Sequence, residues 1–132
     1  MWNKINLKII VNKNNEERVK AANVVVENLN AIGIKSTIEA LEDDDMSKAL
    51  SNKQYDLAFV GWELSSVPDA RDIIKASGYS DAKLTGYMDS LSAATSDSQI
   101  SEIYSSMQKY IRDKVAFISL VIRDEYIVKN IR

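Results

Sequence analysis

A strand–helix–strand succession at the amino end constrains the fold more than any other feature. Leu7 to Val11, Leu-Lys-Ile-Ile-Val, is a short apolar run suited to a strand near the centre of a sheet. Asn14 and Glu17 then predict a capping box, with the Asn side chain accepting from the first helical turn and the Glu reaching back. Val19, Ala22, Val26 and Leu29 recur at helical spacing, and Val25 and Ile32 widen the stripe. Gly33 stands where a helix stops in the left-handed conformation. Ile34 to Ala40 alternates in polarity, which predicts a second strand with one face less buried, nearer a sheet edge. Such a unit of about 30 residues has the size of a βαβ half. The right-handed rule for crossovers makes its two strands parallel.

The alternation continues downstream. Asp43, Asp44 and Asp45 predict a helix start, with Met46, Ala49 and Leu50 as its apolar face. Three adjacent carboxylates lack the alternate spacing and the Gly turn of a cation loop, so dipole complementarity is preferred to a metal site. Tyr55 to Val60 is a third strand, short and buried, leading through Gly61-Trp62 into an exposed loop from Glu63 to Asp69. Pro68 fits the first turn of a short helix from Asp69 to Ala76, which Ser77-Gly78-Tyr79 ends. Ser80 to Gly86 reads as an exposed turn region and Tyr87 to Thr95 as a further helix. Asp97 or Ser98 caps the next helix, whose apolar positions are Ile100, Ile103, Tyr104, Met107, Tyr110 and Ile111. This aromatic stripe reads as core in preference to a stacking platform. Ala116 to Ile122 has the length and β-branched content of another buried strand, and Tyr126 to Val128 that of a short final one. The expected organisation is one α/β domain over residues 1–132, cut from a larger protein, since the chain ends at Asn130-Ile131-Arg132 without a terminal helix.

Composition narrows the function. With 132 residues and 45% hydrophobic content the chain can build a real core. Seventeen Lys and Arg against 19 Asp and Glu leave a net charge of −2, without the basic patch that nucleic acid requires. The absence of Cys excludes disulfides and thiol nucleophiles, and the absence of His removes the commonest general base and metal ligand. An enzyme would have to rest on carboxylates or Lys, and no spacing brings such groups into a set. No segment approaches the roughly 20 apolar residues of a membrane span. The reading is a non-enzymatic protein without cofactor or metal, not bound to nucleic acid and not inserted in the membrane.

Gly61 and Trp62 are the focus of the functional reading. Ligand sites in α/β sheets lie at the carboxyl ends of strands. A Trp there offers a flat amphipathic wall, and the preceding Gly admits a ligand or another backbone closely. The alternative is that Trp62 plugs the edge of the core.

Taken in order, Ile32-Gly33-Ile34, the Tyr55-Asp56 strand leading to Gly61-Trp62, Pro68-Asp69, Gly86-Tyr87, Ile103-Tyr104 and Ala116 to Leu120 resemble the C-terminal lobe of the family 5 extracellular solute-binding proteins. The resemblance spans Leu7 to about Val128. It implies a three-layer sandwich, a mainly parallel sheet with helices on both faces, as in the type II periplasmic-binding-protein lobe. It further implies one half of a clamp for an ABC importer of dipeptides, oligopeptides, nickel complexes or sugars, with peptides the preferred solute. Its partners would be the N-terminal lobe of the same protein and the transporter permease. Its location would be the periplasm or, through a lipid anchor, the outer face of the membrane. The ligand-binding residues so implied are Gly61, Trp62, Glu63, Leu64 and Ser65, whose backbone would pair with an extended peptide. Many peptide-binding members carry an Asp three residues after the Trp to hold the peptide's amino group. Ser65 stands there in this sequence, and a neutral hydroxyl cannot replace a carboxylate beside a buried ammonium. Glu63 is the nearest alternative carboxylate.

Two other readings compete. A flavodoxin-like receiver domain would share the βαβ order and the acidic cluster, but its phosphoacceptor Asp should end the third strand, whereas Asp56 begins it. A small carboxylate-dependent enzyme would need a nucleophile, base and orienting group that the sequence does not supply.

Overall fold

Hydrogen bonding along three parallel strands organises the first part of the molecule. The computed structural model describes residues 5–63 and 70–121, which fall into two compact units that divide in sequence between Gly78 and Tyr79. In the first unit, β1 (Asn6–Asn12) lies between β2 (Lys35–Leu41) and β3 (Leu57–Phe59), giving the order β2-β1-β3. Both pairings are parallel, with Ile9 opposite Ile38 on one side and Leu57 on the other. The helices of this unit are α1 (Glu16–Ala31), α2 (Asp43–Ser51) and α3 (Ala70–Ser77).

Ile9, Ile10 and Val11 are all fully buried. Successive strand residues face opposite sides of a sheet, so burial of three in a row means that β1 is covered on both faces. Ile10 packs with Met46 and Ala49 of α2, joined by Leu41, Leu50, Tyr55, Ala58 and Val60. α1, with Ala22 buried, packs on β1 and β2. Because β2 and β3 lie on opposite sides of β1, right-handed crossovers put α1 and α2 on opposite faces.

Several local expectations shift. The α1 cap is Asn15, whose side chain accepts from the Arg18 N–H at 2.9 Å, and not Asn14. Asn14 is drawn away: its N–H donates to Asn12 Oδ1 at 2.8 Å and its amide to Glu42 Oε2 at 3.2 Å. Ile32 is 72% exposed and does not widen the core stripe, because it already follows the last turn of α1. Gly33 has φ +86 and ends the helix as expected. Asn30 fixes the return to β2 by accepting from the Ser36 N–H at 2.9 Å and donating to the Ser36 carbonyl at 3.4 Å. β3 is shorter than the sequence run and is the outer strand of the sheet among the described residues, with Leu57 exposed and Ala58 and Phe59 half-buried, so it is less buried than expected. Asp43, Asp44 and Asp45 occupy the first turn of α2.

The second unit contains α4 (Ala82–Ala93) and α5 (Asp97–Lys114), packed together with Leu84 and Met107 as their buried side chains. Here the expected turn over Ser80 to Gly86 gives way to helix. Asp81 accepts from the Leu84 N–H at 2.8 Å and so caps a helix that starts five residues before Tyr87 and carries Gly86 within it. α5 is capped by Ser96, one residue before the expected Asp97. Tyr110 turns toward α4: its hydroxyl donates to Asp81 Oδ2 at 2.5 Å, and its ring meets Tyr87 at 6.0 Å between centroids. Tyr79 donates to the same Asp81 oxygen at 2.9 Å.

Residues 116–121 form no strand, against expectation, and Ile118, Leu120 and Val121 are exposed. α5 ends with Val115 in the left-handed region and the Ala116 N–H bonded to the Ile111 carbonyl, after which no described strand receives the segment. A β-branched run becomes a strand only where a ladder accepts it. Ile122, the expected strand over Tyr126 to Val128, and Pro68-Asp69 lie outside the described residues.

Candidate ligand-binding site

The carboxyl edge of the sheet collects polar groups from three successive connections. β1 ends at Asn12 and is followed by Lys13, Asn14 and Asn15; after β2 come Glu42 and Asp43, and after β3 Val60, Gly61, Trp62 and Glu63. Chain direction reverses about β1, since the path from β1 leads to one neighbour and the path from β2 returns to the other. The gap between β1 and β3 is therefore the topological switch point, where open α/β sheets form a crevice. Gly61 and Trp62 follow β3 into this place.

On the β2 side of the edge, polar groups are used up by one another. The Asn12 amide donates to Asp43 Oδ1, Lys13 pairs with Glu42 Oε1, and the Lys13 N–H donates to the Leu41 carbonyl at 2.9 Å. On the β3 side the chain passes from half-buried Val60 to more exposed residues. Gly61 and Glu63 are exposed, and Trp62 is 36% exposed. The half-buried Arg18, in the first turn of α1, lays its guanidinium against the Gly61 backbone. A side chain at position 61 would occupy the guanidinium's place, so the missing Cβ is what admits it.

Of the residues expected in the site, Gly61, Trp62 and Glu63 lie together at this edge, while Leu64 and Ser65 lie outside the described residues. Sequence reasoning missed Arg18. Its position three residues after the end of the Asn12–Asn15 connection carried a signal only once β1 and β3 were known to be neighbours, and periodicity does not give strand order. Asp56 lies at the other end of β3, where its carboxylate accepts from the Lys8 N–H at 2.7 Å and its N–H donates to the Lys8 carbonyl at 2.9 Å. It starts the ladder and is remote from the carboxyl edge, which removes the receiver-type phosphoacceptor. No group of acidic residues among the described residues is arranged to hold a metal ion, and no described helix is long and apolar enough to cross a membrane.

No family model matches this sequence, and no curated protein does. Solved structures do. The oligopeptide-binding protein AppA from Bacillus subtilis, in complex with a nonapeptide, superimposes with a TM-score of 0.69 at 24% identity, over 85% of this chain and 24% of that one. NikA from Brucella suis, in complex with Fe(III)-EDTA, superimposes with a TM-score of 0.74 at 13% identity, over 85% of this chain and 25% of that one. The chain has the fold of a type II periplasmic-binding-protein lobe. It spans about a quarter of the length of the structures it matches. At the carboxyl edge of the sheet, Gly61, Trp62 and Glu63 follow β3, and the Arg18 guanidinium lies beside Gly61.

Proposed function

We propose that this chain is the substrate-binding lobe of an extracellular solute-binding protein serving an ABC importer, and that its solutes are peptides. The observation that carries the reading is the place of the Gly61-Trp62-Glu63 segment at the β1–β3 switch point, on a fold shared with two ligand-binding proteins. The identity of 24% to an oligopeptide-binding protein favours peptides over chelates. Trp62 packs beside the ligand, the backbone at Gly61 to Ser65 pairs with it, and Glu63 is the carboxylate nearest its amino end. On this reading the protein is a binding module, not an enzyme. A second lobe of the same protein closes over the site, the permease receives the solute, and the whole works in the periplasm or on the outer face of the membrane, held there by a lipid anchor.

Native mass spectrometry of the full-length protein, purified without refolding, tests this. A heterogeneous set of co-purifying peptide masses is expected. A single non-peptide mass would keep the binding function and overturn the peptide. In the same protein Trp62→Ala should weaken binding about tenfold, which corresponds to roughly 1.4 kcal/mol. Unchanged affinity would put Trp62 outside the site.

A further inference from the structure

Gly61 is bare for a reason other than backbone conformation. Of the four glycines only Gly33 and Gly78 have positive φ, so the backbone at position 61 is one that a residue with a side chain also adopts. What the position lacks is room. The place of a Cβ there is taken by the end of the Arg18 side chain, with Cζ 3.1 Å and Nε 3.5 Å away and Nη2 closer still. The contact is one of packing, since the hydrogen bond of Arg18 is made by its main-chain N–H to Asn15 and its side chain forms no ion pair among the described residues.

Where the contact falls decides what it can do. The β1–β3 ladder ends at Phe59, opposite Val11, and Val60 still packs on the cluster of Ile10, Met46 and Ala49. Gly61 follows without a ladder partner and without a side chain. A bare glycine leaves the next peptide unit freer than any other residue would, and Trp62 hangs on that unit. α1 packs on β1 and β2, and Arg18 reaches from its first turn to the exit of β3. On the β2 side the edge is tied by Asn12 to Asp43 and by Lys13 to Glu42. On the β3 side the Arg18 guanidinium against Gly61 is the corresponding tie.

We propose that Arg18 is a positioning residue of the candidate site: its guanidinium, seated on Gly61, restrains the peptide unit that carries Trp62 and so sets the wall that Trp62 presents to a solute. The inference rests on the solute-binding reading above and adds to it a residue that acts through another. A planar guanidinium suits the task, because it lies flat on a backbone that a compact, strongly hydrated ammonium would meet only at a point. Arg18 and Gly61 then work as one device. Removing the guanidinium and displacing it with a Cβ release the same restraint, so the two changes are not additive. Gly61 is exposed and lies outside the core, so the effect falls on Trp62 and leaves global stability nearly untouched.

The test is a double-mutant cycle in the full-length protein: wild type, Arg18→Gln, Gly61→Ala and the two together, with Arg18→Lys as the conservative variant and circular dichroism to establish folding. Two readouts are taken. One is the affinity for a set of unblocked tetrapeptides by titration calorimetry. The other, free of any ligand, is the fluorine resonance of Trp62 in protein labelled with 5-fluorotryptophan, assigned by Trp62→Phe. Each single change should weaken binding about fivefold, and the double variant should be no more than about twofold weaker than either single one. Both single changes should displace the Trp62 resonance alike, and Arg18→Lys should fall between wild type and Arg18→Gln. Losses that multiply to about 25-fold in the double variant would mean that Gly61 is bare to admit the ligand and not Arg18, and would overturn the proposal. A Trp62 resonance unmoved by Arg18→Gln would overturn it as well, and that variant alone decides the matter if Gly61→Ala does not fold. A wild type that binds no tetrapeptide overturns the peptide reading by itself. The resonance then still decides on Arg18: displaced alike by the two single changes it supports the brace, and otherwise it overturns it.

Discussion

Asp81 and Arg18 are both charged residues at the amino end of a helix, and they differ in how fully their hydrogen-bonding capacity is used. Asp81 Oδ1 accepts from the Leu84 N–H, and Oδ2 accepts from both Tyr79 and Tyr110. The carboxylate is bound into its unit on each side, and the Tyr110 ring is further flanked by the ammonium groups of Lys83 at 4.9 Å and Lys114 at 5.9 Å. Arg18 offers the opposite case, with its main chain fixed and its guanidinium unspent. A saturated charge is explained by the fold that saturates it. The Arg18 guanidinium, half-exposed beside Gly61, is within reach of water instead.

The comparison depends on both units owing their basic stability to apolar packing, so that the polar groups can be judged separately. The largest effects should therefore come from Ile10→Ala in the first unit and Met107→Ala in the second, each a fully or almost fully buried side chain. Each should lower unfolding free energy by about 2–5 kcal/mol, measured by urea denaturation. A loss below about 1 kcal/mol at either position would mean that its site collapses to fill the cavity, and that polar contacts carry more than assumed.

Next in size is the Asp81 cluster, through its pH dependence. Hydrogen bonds from Tyr110, the Leu84 N–H and Tyr79 hold the Asp81 carboxyl below its usual 3.8. Its contribution is thus present above the unfolded value and disappears as pH falls through the lowered folded one. Tyr110 is pushed up to about 12, first by its hydrogen bond to Asp81 and then by desolvation. Its contribution is complete below 10 and disappears as pH rises from there to about 12. The second unit should therefore have a stability plateau bounded by acid and alkaline limbs. Tyrosinate absorbance should show Tyr110 ionising about two pH units late, and Asp81→Asn should return it toward 10 while flattening the acid limb. Ordinary titration of Tyr110 in the wild type would end the view of Asp81 as a saturated structural charge.

What the sequence made legible follows the same division between packing and partner choice. The Ile9-Ile10-Val11 run, the alternation of Lys35–Leu41 and the Gly33 stop are dictated by local chemistry, and each predicts its element. Choices among rival partners are another matter. Asn14 and Asn15 are chemically identical caps, and only the position of Glu42 across the edge decides that Asn14 is drawn off and Asn15 caps. Gly86 suggests a turn locally, and the Asp81 cap overrides it from five residues away. Residues 116–121 have strand composition but meet no described ladder. The position of Gly61, Trp62 and Glu63 past the end of β3 is readable because a strand running into Gly-Trp announces its own carboxyl end. Arg18 was not, because its meaning depends on β1 and β3 being neighbours.

The smallest predicted effects bear most directly on Arg18. Asn15→Ala removes the α1 cap and should cost about 1 kcal/mol, because the Arg18 N–H then loses its acceptor in a turn already short of partners. Arg18→Gln keeps that N–H, keeps a good helix former and removes a cation from the wrong end of a dipole, so stability should change by no more than about 0.5 kcal/mol. The pair separates the two halves of one residue: the main chain of Arg18 serves the fold and its guanidinium does not. Should Arg18→Gln prove as costly as Asn15→Ala in urea denaturation of the unliganded protein, the guanidinium would be a structural group after all, and the contrast with Asp81 would disappear.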